Sequence, residues 1–90
     1  MAMDNKQIRA LKARAHALKP VASIGSKGVT DSVIEEIDVQ LEHHELIKVK
    51  IAAQREDKTA ITHILCDRLN ATLVGIIGHI AILYRKRTED

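Results

Sequence analysis

The residues of this 90-residue chain best suited to chemistry are the four of Gly25-Ser26-Lys27-Gly28. Glycine tolerates positive φ and carries no Cβ, so another backbone can come close to such a segment. Free N–H groups, a lysine between the glycines and the positive end of a following helix all favour a bound phosphate. A plain strand-to-helix turn would use the same residues, so the four alone do not decide between the two. The segment is not the phosphate loop of nucleotide hydrolases, which needs four residues between its glycines and then Lys-Ser/Thr. It also lacks the three glycines of a dinucleotide fingerprint.

The other candidate groups point away from catalysis. His43 and His44 are adjacent, so on a helix they diverge by about 100° and share a metal poorly. His16, His63 and His79 fall on separate elements without ligand spacing, and one cysteine does not complete a zinc site. No metal site and no cofactor are expected. Cys66 could pair with a distant histidine as nucleophile and base. Its neighbours Ile64 and Leu65 instead make it a partly buried small hydrophobe. No catalytic residue is assigned, and nothing in the chain supports an enzyme.

Charge is distributed unevenly. Residues 1–30 hold Lys6, Arg9, Lys12, Arg14, Lys19 and Lys27 against Asp4 alone, a net +5, and residues 31–66 hold eight acids and four bases, a net −4. A basic N-terminal third that includes the glycine loop points to a polyanionic partner. The chain has one Tyr and neither Phe nor Trp. Proteins that read single-stranded RNA stack bases on aromatic side chains, which this chain cannot do widely. A GXXG loop that clamps sugar-phosphate backbone needs no aromatics, so recognition of backbone or shape in folded RNA is favoured. Asp31, close to the loop, weakens the positive field there.

The elements that must position these groups follow from periodicity and stop signals. Asp4 and Gln7 form a capping box, and Ile8, Leu11, Ala15 and Leu18 mark one stripe of a basic helix over about residues 5–17. Arg9, Lys12 and His16 form a ridge beside that stripe. Pro20 stops the helix and opens a short strand, Pro20–Ile24, that runs into the glycine loop. Thr30, Asp31 and Ser32 each suit the start of a second helix, with Val33, Ile34, Ile37 and Leu41 inward and Glu35, Asp38 and Glu42 outward. Residues 46–51 alternate, with Ile47, Val49 and Ile51 inward and Lys48 and Lys50 on a wet face. Gln54–Asp57 reads as a polar connection with Asp57 as cap. Ile61, Ile64, Leu65 and Leu69 mark a third helix ending near Asn70. Thr72–Ile77 and His79–Tyr84 form a hairpin around Gly78.

One domain over residues 1–90 is expected, of α+β class with two layers: an N-terminal helix, then βαβαββ, with a four-stranded mixed sheet and the helices on one face. The core must be aliphatic. No apolar run approaches the roughly 20 residues that span a membrane, the start of the chain lacks a secretory apolar segment, and the lone cysteine fits a reducing cytoplasm.

The segments Arg9–Val21, Gly25–Gly28, His44–Lys50 and Ile77–Arg85 together resemble the CRM domain, the chloroplast RNA splicing and ribosome maturation family, and within it the stand-alone YhbY-like bacterial members. The resemblance covers nearly the whole chain in order. It implies a fold similar to the C-terminal domain of bacterial translation initiation factor three. It also implies RNA binding, with ribosomal RNA of large-subunit precursors as partner, in ribosome assembly. By position it places the GXXG loop on Gly25, Ser26, Lys27 and Gly28, and the basic first helix on Lys6, Arg9, Lys12 and Arg14. Lys19 extends that basic segment. The protein is expected to act as a monomer. The alternative is a protein-interaction module that works through the acidic second helix.

Overall fold

The capping box at the start of the chain forms as read. Asp4 Oδ1 accepts from the Gln7 N–H at 2.8 Å, and Gln7 Oε1 accepts from the Asp4 N–H at 3.1 Å. Together they satisfy two otherwise orphaned donors. The computed structural model describes residues 3–25 and 27–87. Its elements are α1 (Asn5–Ala15), β1 (Pro20–Ile24), α2 (Asp31–His44), β2 (Leu46–Ile51), α3 (Arg55–Leu69), β3 (Thr72–Ile77) and β4 (Ile80–Tyr84). The class is α+β, with a mixed four-stranded sheet in the order β1-β2-β4-β3. β1 runs parallel to β2, and the other neighbours are antiparallel.

Local chemistry explains the boundaries. Thr30 is the N-cap of α2, its hydroxyl accepting from the Val33 N–H, so the structure selects one of three candidates. Asn70 ends α3 at φ 54° and ψ 41°, the left-handed conformation that asparagine tolerates better than most residues. Gly78 takes φ +59° at the first position of the two-residue hairpin loop between paired Ile77 and Ile80. Glycine at that position suits a type II′ turn, whose twist matches the flanking strands.

Three expectations need correction. α1 stops at Ala15 and residues 16–17 form a turn, two residues earlier than read. Asp57 is not the cap of α3: Gln54 holds that position without a side-chain cap bond, and Asp57 sits in the first turn. An acid there still complements the positive end of the helix.

The third concerns the layers. α2 and α3 cover one face of the sheet, where Ile47, Val49, Ile51, Ala81 and Leu83 meet Ile37, Leu41, Leu65 and Leu69. α1 covers the opposite face, packing Leu11 and Ala15 on Leu46, Val74 and Ile82. The helices therefore lie on both faces, because Leu46, Ile82 and Tyr84 make that second face too apolar at one end to leave in water. Fully burying an aliphatic side chain stabilises by about 1.5–3 kcal/mol, so a lone amphipathic helix suffices to close it.

Candidate nucleic-acid interface

The loop that ends β1 closes on itself, with the Gly28 N–H donating to the Gly25 carbonyl at 3.0 Å. Gly28 adopts φ +71°, and a Cβ on either glycine would meet nothing within 4 Å. Glycine is thus required at Gly28 for conformation, whereas Gly25 leaves room for a visitor. Lys27 is exposed, and Ser26 lies outside the described residues. The Ala52 N–H donates to the Ile24 carbonyl at 2.9 Å and ties the segment after β2 to the root of the loop. A groove of about 570 Å³ runs between Gly25 and Gly28 on one side and Gln54, Asp57 and Ala60 at the start of α3 on the other.

Asp31, expected to weaken the field at the loop, pairs with Arg68 of α3 at 2.8 Å. Its charge is therefore offset by a neighbour rather than left to face the loop alone.

The hairpin tip joins the same end of the sheet. The Ile51 N–H donates to the His79 carbonyl at 2.7 Å, and His79 Nδ1 lies 3.2 Å from the Ile51 carbonyl oxygen. Lys58 Nζ donates to the Gly78 carbonyl. One edge of the molecule thus collects the glycine loop, the β2–α3 connection and the hairpin.

The basic residues of α1 divide between its two flanks. Lys12 and His16 border a hollow with Lys48, Ile77, Ile80 and Ile82, on the side nearer the hairpin. Arg9, one turn before Lys12, shares that flank by the 100° step of the helix. Arg14 and Lys19 border a different cleft with Val21, His44 and Leu46, at the far end of the sheet. Lys6 is exposed. Of the nine residues assigned from sequence, the structure sets Gly25, Lys27 and Gly28 in the loop after β1, Lys12 over β3 on the hollow that reaches the hairpin, and Arg14 and Lys19 at the far end of the sheet.

The basic pair at the end of the chain has a different task. Arg85 donates to Asp38 Oδ1 at 2.7 Å, Glu42 Oε1 at 3.1 Å and the Leu69 carbonyl at 2.9 Å. Arg87 donates to the carbonyls of Glu42 and His43 at 2.9 and 2.6 Å. Arg85 therefore ties the C-terminal half of α2 to the end of α3, and Arg87 clamps the end of α2 alone, where cations complement the helix dipole. They also engage two acids of α2, reducing the free acidic surface on which the protein-interaction alternative would depend.

Burial pushes the Cys66 thiol above its ordinary range, and Asp67 adds to the shift. A thiol held protonated is a poor nucleophile. Among the described residues no group of three or more His, Cys, Asp or Glu side chains could hold a metal. No helix among them is long and apolar enough to cross a membrane.

Sequence reasoning missed Lys48, Lys50 and His79 as neighbours of the loop and the α1 ridge. The alternation of residues 46–51 had placed both lysines on one face, which was the available signal. That α1 covers only part of this face was not readable.

The comparisons with known proteins agree with this architecture. An RNA-binding protein of Haemophilus influenzae is 46% identical over 88 residues, covering 97% of this chain and 89% of its own. YqeI of Bacillus subtilis is 36% identical over 89 residues, with 98% and 93% covered. The solution structure of the hypothetical protein SAV1595 from Staphylococcus aureus superposes with a TM-score of 0.85 at 33% identity, over 99% of this chain and 94% of that one. The family model of the CRS1/YhbY (CRM) domain matches residues 3–85, and the chain belongs to that family.

Proposed function

We propose that this protein binds the sugar-phosphate backbone of RNA through the Gly25–Gly28 loop and the Arg9/Lys12 flank of α1. Its target in this reading is ribosomal RNA of large-subunit precursors, bound by a monomer in the cytoplasm during ribosome assembly. The observation that carries the reading is the open Gly25–Gly28 loop with its exposed Lys27, while Lys12 of α1 borders a hollow that reaches the hairpin at the loop's end of the sheet. The name of the Haemophilus influenzae relative supports RNA as the ligand. The family resemblance supports the ribosomal target. Lys6, Arg14 and Lys19 add to the long-range field rather than to the loop contact.

The test replaces Ser26 and Lys27 by Asp. The melting temperature stays within about 4 °C, since Lys27 is exposed and a surface change of this kind falls within about 0.5 kcal/mol. Affinity for large-subunit ribosomal RNA falls at least tenfold, and the salt slope drops by roughly one unit for the lost cation. Unchanged affinity across a salt series would remove the loop from the interface. Co-sedimentation with large-subunit precursors that RNase treatment abolishes is the expected result in lysates, and co-sedimentation that RNase leaves intact would refute an RNA-mediated association.

A further inference from the structure

We infer that the part of the sheet left open by α1 is a second RNA contact, in which Lys48 and Lys50 of β2, with Lys12 above β3, grip the backbone of double-stranded RNA. The inference rests on the RNA-binding reading above and specifies the form of the RNA.

The surface is built by register and by the placing of α1. Lys48 pairs with Ile82 and Lys50 with Ile80, and Ile80 pairs with Ile77 across the hairpin. These residues share a face with Leu46 and Tyr84, but α1 packs over the Leu46 end and stops short of the Lys50 end. Lys50 is exposed, and Ile77 keeps 63% of its surface in water. Lysine stems can lie along such an aliphatic floor while their ammonium groups reach outward.

Lys12 is held in place by the sheet. A Cβ on Gly75 would lie 2.8 Å from Lys12 Cε, so the lysine lies over the one β3 residue with no side chain. Lys48 Nζ donates to the Leu18 carbonyl at 3.1 Å, which fixes it beside the end of α1. Among the described residues none of these three lysines makes an ion pair. The hollow around Lys12 and Lys48 and the one around Lys50 and His79 contain no acid, and the second continues through Ala52 and Gln54 into the loop groove.

The chemistry selects the ligand. An acid-free row of cations over aliphatic carbon attracts phosphate, and its only rings are the small imidazoles of His16 and His79, with no Phe, Tyr or Trp plane on which an unstacked base could lie. The one aromatic ring besides histidine, Tyr84, packs against the α1 cluster at the other end of the sheet. Single-stranded RNA is held largely by base stacking, whereas duplex RNA is held by phosphate and 2′-hydroxyl contacts along its shape.

The test measures anisotropy of a labelled RNA hairpin, with a stem of about 16 base pairs, and of an oligouridine of equal length. The native protein binds the hairpin at least tenfold more tightly. Lys48→Gln/Lys50→Gln weakens hairpin binding by roughly 10- to 60-fold at 0.1 M salt and lowers its salt slope by roughly two units. Lys50→Gln alone, which removes no hydrogen bond, shows about half that loss in logarithmic terms and guards against a folding defect. If both lysine variants bind like the native protein while Lys27→Asp weakens binding, the sheet contact is refuted and the loop reading stands. Equal affinity for the two RNAs overturns the duplex assignment. If Lys27→Asp also binds like the native protein, both readings fail together.

Discussion

Replacing Arg85 by alanine tests whether the basic end of the chain serves the fold or the ligand. The Arg85 side chain is only 16% exposed and reaches two carboxylates and the carbonyls of Asp38 and Leu69. The carboxylates are roughly half exposed, at 51% and 41%, so screening reduces each pair to about 0.5 kcal/mol. The bonds to carbonyls are charge-assisted and sheltered, and each contributes about 1 kcal/mol. Arg85→Ala therefore costs about 2–3 kcal/mol, which lowers the melting temperature of a domain this size by roughly 10–15 °C. Arg85→Lys recovers less than half, because a single ammonium cannot reproduce a planar fork spanning two helix ends. Thermal melting followed by circular dichroism measures the stability, and RNA affinity measured well below the lowered midpoint stays within about twofold. A melting point within 2 °C of the native value would show that the clamp contributes nothing. A tenfold loss of RNA affinity in the folded variant would place Arg85 in the interface and refute its structural assignment.

Two further outcomes can be checked. Gly75→Ala puts a methyl group 2.8 Å from Lys12 Cε, well inside the ordinary carbon contact of about 3.5–4 Å, so the lysine swings away. Its melting temperature does not fall, because only a flexible chain end is displaced, while RNA affinity at 0.1 M salt drops by up to about eightfold, the worth of one phosphate contact; unchanged affinity would show that Lys12 needs no seat on β3. Cys66 is held protonated in the fold, so the unfolded chain releases its proton first as pH rises past the ordinary thiol range near 9. Stability then declines with rising pH through that window, and Cys66→Ala has a shallower decline in the same melts; equal slopes would refute the effect.

How much was legible in the sequence depends on the range of the interaction responsible. The capping box at Asp4 and Gln7, the opening of β1 at Pro20, the alternation of residues 46–51 and the helix end at Asn70 all involve residues within a few positions of each other. Their geometry follows from backbone sterics and local hydrogen bonding, and each formed where it was read. The GXXG spacing was readable for the same reason, as was the burial of Cys66. The choice of Thr30 over Asp31 and Ser32 was not, because all three side chains can cap and the rest of the fold breaks the tie.

What the tertiary structure alone decided is which distant groups meet. The hydrophobic stripe of α1 is compatible with either face of the sheet. The outcome was set by the apolar end formed by Leu46, Val74 and Ile82, three residues from three strands. That choice turns Lys12 toward Lys48 and Arg14 away from it, which divides a basic helix that looked uniform in sequence. Arg85, Lys86 and Arg87 are three consecutive basic residues, yet two of the three reach back more than 40 positions to α2. Local propensity assigned the elements and the loop. The burial of apolar area summed over residues far apart in the chain assigned the faces, and with them which cations remain free to meet a ligand.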